Sequence, residues 1–226
     1  MIQTVDLKKV AVVMITKNEE QAVGLVINEI KALSSDIEII IVDSSEDKTA
    51  NIAQSLGATV IRQYPPKGYG PAMDRALHAS KRDVIITMDC DGTYPVLKIP
   101  ELASLVLNEN YDLADASRLE KKPQAMPWIN YFANYFFAFF ASLLFFKRLT
   151  DLHSGMRAYR RDMIEQLTYN AKGAALPVEL LLRPLKRGFK LKVIFIEYKE
   201  RIGASTMRPL ESAWWTLKRI LSVRFT

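Results

Sequence analysis

VIITMDCDGTYP, residues 84–95, runs a short β-branched apolar stretch straight into two carboxylates, Asp89 and Asp91, with Cys90 between them. An apolar run without polar alternation is the pattern of a strand covered on both faces. Charge at its end then belongs at the carboxyl edge of a sheet. The runs VAVVMI (10–15), IEIIIV (37–42), ATVI (58–61) and DVIITM (83–88) share the pattern. Helical patterns separate them: 19–34, with Val23, Val26, Ile27 and Ile30 at helical spacing; 47–56, ending at Gly57; and 71–80. This alternation predicts an α/β fold with right-handed crossovers and one doubly wound, mostly parallel sheet carrying helices on both faces. YDLADAS (111–117) is a fifth strand candidate.

Ligands of such sheets bind outside the carboxyl ends of the strands. The segments to read are therefore TKNEE (16–20), DSSEDKT (43–49), RQYPPKGYGP (62–71) and DCDGTYP (89–95). All are polar, and acidic residues recur in three of them. No GxGxxG follows the first strand and no GxxxxGK[ST] occurs, which disfavours the usual dinucleotide fold and the P-loop.

Composition fits a single globular domain: 226 residues, 49% hydrophobic and 25% charged. The lone Cys90 excludes an internal disulfide framework, and the start MIQTVDLKKV lacks the apolar core of a signal peptide, so a cytoplasmic or cytoplasm-facing protein is expected. The net charge of +6 is uneven. Residues 181–226 hold eleven Lys or Arg against three Asp or Glu, whereas 20 face 22 before them. That bias suits phosphates, anionic lipid or nucleic acid, and equally a solvated basic face.

Residues 128–146, WINYFANYFFAFFASLLFF, carry ten of the 22 aromatic residues. Asn130, Ala133, Asn134, Ala138, Ala141 and Ser142 form one narrow mild stripe among bulky aromatics. A single membrane crossing would split the fold, so a helix lying in the membrane interface or against a partner's membrane segment fits better, with a buried core helix as the alternative. RPLESAWWTLKRILSVRF (208–225) reads as a helix opened by Pro209, with Leu210, Trp214, Leu217 and Leu221 on one face and Lys218, Arg219 and Arg224 beside it. It is expected either at a membrane interface or docked on the sheet.

Two carboxylates at i and i+2 after a strand suit a general acid and base, a coupled pair with one raised pKa, or the binding of a hard divalent cation such as Mg²⁺ or Mn²⁺, whose shell substrate phosphates complete. In the next segment Asp47 and Thr49 open a helix, and Asp43 sits where it would face the crevice and accept from a base or ribose.

The segments VVMITKNEEQAV, EIIIVDSSEDKTANIAQSLGATVI, GYGPAMDRAL, VIITMDCDGTYP, ASRLEKKP, DLHSGMRAYRRD and IEYKERIGAS follow one another as in family-two inverting glycosyltransferases of the GT-A fold. Within that family the chain most resembles the dolichol-phosphate or polyprenyl-phosphate sugar synthases, over roughly residues 8–210. The resemblance implies a nucleotide-sugar-binding half over 1–117, an acceptor-binding half over 118–208 and a C-terminal amphipathic helix over 209–226. It makes Thr16, Asn18 and Glu19 donor contacts, gives Asp43 to the base, and makes Gly68 and Gly70 a turn that lets backbone approach the donor. Asp89 and Asp91 correspond to the metal-binding acids, and Arg118 and Arg201 to phosphate-handling arginines, with Asp91, Arg118 and Arg201 as the catalytic group. Ser154, Gly155, Arg157, Glu179 and Ser205 fall on the acceptor side. Two positions depart from the pattern: Ser44 stands for the family's second Asp, and Thr93 stands where the synthases often have Gln. His153 is expected to have a surface or packing role rather than to act as a base.

The matching segment ALPVELLLRPLKRGF offers Glu179 followed by Leu180, not the carboxylate base of hydroxyl-glycosylating relatives. A phosphate acceptor is already ionised at neutral pH and needs no base. The expected activity is thus Mg²⁺- or Mn²⁺-dependent transfer of a hexose from GDP-mannose or UDP-glucose to a polyprenyl phosphate, at the cytoplasmic face of a membrane or beside a membrane-anchored partner. A soluble phosphorylated or sugar acceptor, with 128–146 as the interface of a homo-oligomer, is the alternative. A non-catalytic nucleotide or nucleic-acid binder is remote, since no nucleic-acid-binding motif is present.

Overall fold

In the computed structural model, which describes residues 5–203 and 209–226, the apolar runs become neighbouring strands. β1 (Val10–Thr16), β2 (Glu38–Asp43), β3 (Thr59–Arg62) and β4 (Val84–Thr87) pair in parallel, connected through α1 (Val23–Leu33), α2 (Thr49–Ser55) and α3 (Tyr69–Leu77). The physical basis of their unbroken hydrophobicity is two-sided cover. Val10, Val12, Met14, Ile39 and Ile41 point into a core beneath α1 and α4 (Ile99–Leu107), while Ala11, Val13, Ile40 and Val42 point into a second core on the opposite face.

The sheet continues past β4 with β5 (Leu113–Ser117), β6 (Arg157–Arg160) and β7 (Leu191–Phe195), giving the order β3-β2-β1-β4-β6-β5-β7. β6 runs antiparallel to both neighbours, so a strand from the second half of the chain is inserted between β4 and β5. Neither β6 nor β7 was expected. RAYR carries two arginines within four residues, and LKVIF is a partly exposed edge strand. α1 begins at Val23 instead of residue 19, because Asn18 takes a left-handed conformation (φ 59°) and the amide of Glu19 donates to Thr49 Oγ1 at 2.9 Å, holding the entry as a loop.

α5 (Trp128–Phe145), α6 (Arg161–Gln166), α7 (Leu176–Lys186) and α8 (Pro209–Phe225) complete the fold. α5 is not a core helix. Only Ala138 and Ala141 of its residues are buried, in the second core, and Trp128, Ile129, Phe132, Tyr135, Phe136, Phe139 and Leu143 are all more than half exposed. Among the described residues it is the one helix long and apolar enough to cross a membrane. α8 packs against α7 and α5 through Thr216, Arg219, Ile220 and Val223. Trp214 and Leu221 face outward, as the interfacial alternative expects, whereas Arg219, expected beside the apolar face, lies inside. The side chain of Leu210 lies outside the described residues.

Candidate active site

The turn after β4 places both acids at the carboxyl edge. Asp91 is nearly buried, and its Oδ1 accepts from the amide (3.1 Å) and the hydroxyl (2.6 Å) of Thr93. Thr93 thus braces Asp91 in a local turn. The segment after β7 is stitched over this turn: Ile202 N donates to Asp91 O (2.9 Å) and Lys199 N to Thr93 O (3.0 Å). Arg201 is thereby brought to Asp91, with Nη1 3.2 Å from Oδ2, while Nη2 pairs with Glu19.

Asp89 faces Gly155, where an added Cβ would stand 3.0 Å from both carboxylate oxygens. The glycine is needed for that approach. Its amide donates to the Tyr94 hydroxyl (2.7 Å), and its carbonyl accepts from Thr87 Oγ1 (2.8 Å). The Tyr94 ring meets Tyr198 edge-on at 5.6 Å, and the Arg118 guanidinium lies 5.1 Å from the Tyr198 ring centre. Arg118 is held in place by Asp151 through Nε (2.7 Å) and Nη2 (3.0 Å).

Burial, then the neighbouring Asp91, pushes the Asp89 carboxyl up to about 6 against the pull of Arg118 and Arg201. Glu19 rises to about 7, chiefly by burial, with Arg201 opposing and Asp91 and Asp89 adding to the rise. Crowded carboxylates with raised affinity for protons also favour a hard cation. Among the described residues no three His, Cys, Asp or Glu side chains converge as a complete metal cage. The arrangement fits a divalent ion that takes Asp89 and Asp91 from the protein and its remaining oxygens from a bound diphosphate.

The neighbouring corner is built from Thr16, Asn18 and Asp43. Asp43 is fully buried and accepts from Thr16 Oγ1 (2.7 Å), Ser45 Oγ (2.6 Å), Ser45 N (3.2 Å) and the Arg62 guanidinium. Asn18 ties two loops together, its amide donating to Ser45 Oγ (2.8 Å) and its Oδ1 accepting from Glu46 N (2.9 Å). Gly68, with φ 95°, opens α3 toward free space, whereas a side chain on Gly70 would collide with the carbonyl of Ala171. Gly70 is therefore required for packing against the 171–173 loop.

The structure gathers Glu19, Asp89, Asp91, Arg118, Gly155 and Arg201 at one edge, buries Ser154 with its hydroxyl donating to Ala116 O (2.6 Å), and moves two further expected residues away from it. Arg157 is fully buried and directed at Asp115 (2.5 Å), the carbonyl of Pro177, and the carbonyls of Asp151 (3.3 Å) and Leu152 (3.1 Å). It braces the sheet instead of facing an acceptor phosphate. Glu179, also fully buried, pairs with Arg183 and Arg219 and accepts from Asn170 N (3.1 Å), so it anchors α8 and the 170–172 loop rather than lining an acceptor cleft. Ser205 lies outside the described residues. Tyr94, Asp151 and Tyr198 were not singled out, although each sits inside a motif already quoted.

His153 is a packing residue. Its ring lies edge-on to Phe137 of α5, and Nε2 is 2.7 Å from Thr216 Oγ1 of α8. Since that hydroxyl donates to Ser212 O (2.8 Å), Nε2 carries the proton and donates, leaving Nδ1 without a partner among the described residues. Burial holds the imidazole down from 6.5 to about 4. A base depressed on folding stabilises above its unfolded pKa and loses that contribution as pH falls through the folded one. Between pH 6.5 and 4, His153 should cost the protein about 2–3 kcal/mol. Thermal melts at pH 7.5 and 4.5 should show a smaller acid loss for His153→Phe than for the parent; an identical loss would contradict this.

The profile of glycosyl transferase family 2 matches residues 11–168. A dolichyl-phosphate hexose transferase of Haloferax volcanii is 39% identical over 214 residues, 94% of this chain and 92% of the relative. A low-salt glycan biosynthesis hexosyltransferase of the same organism is 31% identical, over 90% of this chain and 51% of its own length. Among solved structures, glucosyl-3-phosphoglycerate synthase of Mycobacterium tuberculosis, in complex with Mn²⁺, UDP-glucose and phosphoglyceric acid, superposes with a TM-score of 0.77 at 22% identity, over 95% of this chain and 79% of that one. Another structure of that synthase holds Mg²⁺ and UDP. At that identity the likeness speaks for the GT-A fold.

Proposed function

This chain belongs to glycosyl transferase family 2 and is a glycosyltransferase, and from that premise we propose that it transfers a hexose from a nucleotide diphosphate sugar to a polyprenyl phosphate at a membrane surface. The observation that carries the reading is the joining of two features in one chain. α5 presents an aromatic face to solvent, and the segment that follows it, 146–154, leads directly to Gly155, against Asp89.

Asp89 and Asp91 would hold Mg²⁺ or Mn²⁺, which when bound supplies positive charge to the departing diphosphate. Arg201, on its stitched segment, turns from Glu19 and Asp91 to the donor phosphates, and Arg118, fixed by Asp151, faces the acceptor phosphate. An acceptor phosphate oxygen attacks the anomeric carbon in line. The new carbon–oxygen bond forms as the bond to the diphosphate breaks, the configuration inverts, and the nucleoside diphosphate leaves with the electron pair. No proton has to be removed from the acceptor, which agrees with the absence of an accessible carboxylate at Glu179.

The lipid reading is supported by the composition of the outer face. Trp214, Leu221 and Phe225 of α8 are exposed on a helix packed against α5, Lys122 lies 4.8 Å from the Trp128 ring centre, and Lys218 lies 5.6 Å from that of Trp215. Aromatic residues flanked by Lys suit an interface with anionic headgroups. The protein should float with vesicles containing anionic lipid, and Phe132→Glu/Phe139→Glu should stay in the soluble fraction with unchanged thermal stability. A parent protein that ignores vesicles at low salt would sink the membrane reading in favour of a soluble phosphorylated acceptor.

A further inference from the structure

The turn DCDGTYP carries two polar side chains that the transfer chemistry leaves unused, Thr93 and Tyr94. Thr93 holds Asp91 directly, by its two hydrogen bonds to Oδ1. Asp89 is approached from across the sheet. Thr87 of β4 is the register partner of Arg157 of β6, so the chain entering β6 brings Gly155 alongside the end of β4. The three atoms nearest to a Cβ built on Gly155 all belong to Asp89: the two carboxylate oxygens at 3.0 Å and Cγ at 3.2 Å. Gly155 does not have a positive φ, so the need for glycine there is one of space.

Gly155 is itself fixed through both of its backbone polar groups. Its amide donates to Tyr94 Oη at 2.7 Å, and its carbonyl accepts from Thr87 Oγ1 at 2.8 Å. The cavity that Gly155 shares with Tyr69, Thr87, Ser154, Tyr159 and Pro177 is about 10 Å³, at the lower limit for one water, so the turn finds little room to shift there. Tyr94 is in turn immobilised by its ring, which is 2% exposed, lies in one core with Cys90 and Met156, and meets Tyr198 edge-on. The order of support thus runs from the packed ring to its hydroxyl, then to the Gly155 amide, and then by close contact to the Asp89 carboxylate.

We propose that Tyr94 is a positioning residue for the cation site, fixing Asp89 through Gly155 as Thr93 fixes Asp91 directly. Mg²⁺ and Mn²⁺ hold their oxygen ligands within narrow limits of distance and angle, and groups that orient a metal ligand commonly contribute ten- to a hundredfold to metal affinity. Loss of the Tyr94 hydroxyl frees the Gly155 amide and lets the turn move against the carboxylate. A methyl group on Gly155 displaces the carboxylate outright. The inference rests on the reading of Asp89 and Asp91 as the ion's ligands.

Mn²⁺ is to be titrated, with electron paramagnetic resonance as the readout, into the full chain at fixed UDP and at fixed GDP. The proteins compared are the parent, Tyr94→Phe, Gly155→Ala and Ile99→Val, the last a change in the same core that touches neither acid. Tyr94→Phe keeps the ring and should weaken Mn²⁺ about tenfold, with an altered zero-field splitting of the bound ion. Gly155→Ala should weaken it at least as much. Ile99→Val should keep the parent's Mn²⁺ affinity and spectrum, even with a melting temperature a few degrees lower. Tyr94→Phe that melts lower while binding Mn²⁺ with the parent's affinity and spectrum makes Tyr94 a core residue only and overturns the inference. Gly155→Ala with the parent's affinity, or Ile99→Val as weak as Tyr94→Phe, also overturns it. Each of these results leaves the metal reading of Asp89 and Asp91 standing. A parent that binds no Mn²⁺ with either diphosphate overturns that reading and this inference together.

Discussion

Asp91→Asn is expected to lower hexosyl transfer by about a thousandfold without lowering the melting temperature of the free protein at neutral pH. The two halves of this expectation have one cause. Asp91 stands beside Asp89, and its charge is the second contribution, after burial, to the rise of the Asp89 carboxyl to about 6. Removing it relieves repulsion in the free protein, while Arg201 keeps Glu19 as a partner. On the proposed reading the same removal would take away a ligand for the ion and with it charge stabilisation of the departing diphosphate. A variant that is destabilised in proportion to its lost activity would make Asp91 a fold residue. A variant as active as the parent would remove it from the chemistry.

Arg157→Met should destabilise the fold by about 3–5 kcal/mol, because removing one member of a buried pair leaves the other charge uncompensated. Asp115, 1% exposed, would lose its partner, and the carbonyls of Asp151, Leu152 and Pro177 would lose theirs. Against a total stability of about 5–15 kcal/mol this is a large fraction. The double variant Arg157→Met/Asp115→Leu should recover much of the loss, since apolar replacement of a whole buried ion pair is often neutral or better. Urea unfolding of the two single variants and the double variant measures the coupling. Full stability with transfer abolished in Arg157→Met would return Arg157 to the acceptor site.

Arg157 also shows where legibility in the sequence ended. The four parallel strands were readable because both their faces are covered by apolar cores, and the acidic turn after β4 was readable because charge at such a strand end has few uses. RAYR did not read as a strand, because its arginine is acceptable there only opposite Asp115, its register partner 42 positions earlier. Glu179 failed in the same way. Arg183 lies one helical turn away and was visible, but Arg219, 40 positions on, was not, and without it a carboxylate in a family motif looks like a ligand contact. In α8 the exposure of Trp214 and Leu221 agrees with the interfacial alternative, and only the burial of Arg219 was not legible. For α5 the pattern was sufficient to place Ala138 and Ala141 on the inner stripe. The exposure of the remaining aromatics then excluded the core reading.

The central claim, that the strand-end acids and arginines of this family-two glycosyltransferase move a hexose onto a lipid phosphate, is tested most directly by one transfer assay. Radiolabelled GDP-mannose and UDP-glucose are each incubated with the protein, a short polyprenyl phosphate in vesicles, and Mg²⁺ or Mn²⁺, and label is extracted into the lipid phase. The predicted result is metal-dependent, acid-labile labelled polyprenyl phosphate hexose from at least one donor, lost with chelator and in Asp91→Asn. Donor consumption with label confined to a soluble phosphorylated acceptor, or no consumption of either donor with either metal, would contradict it.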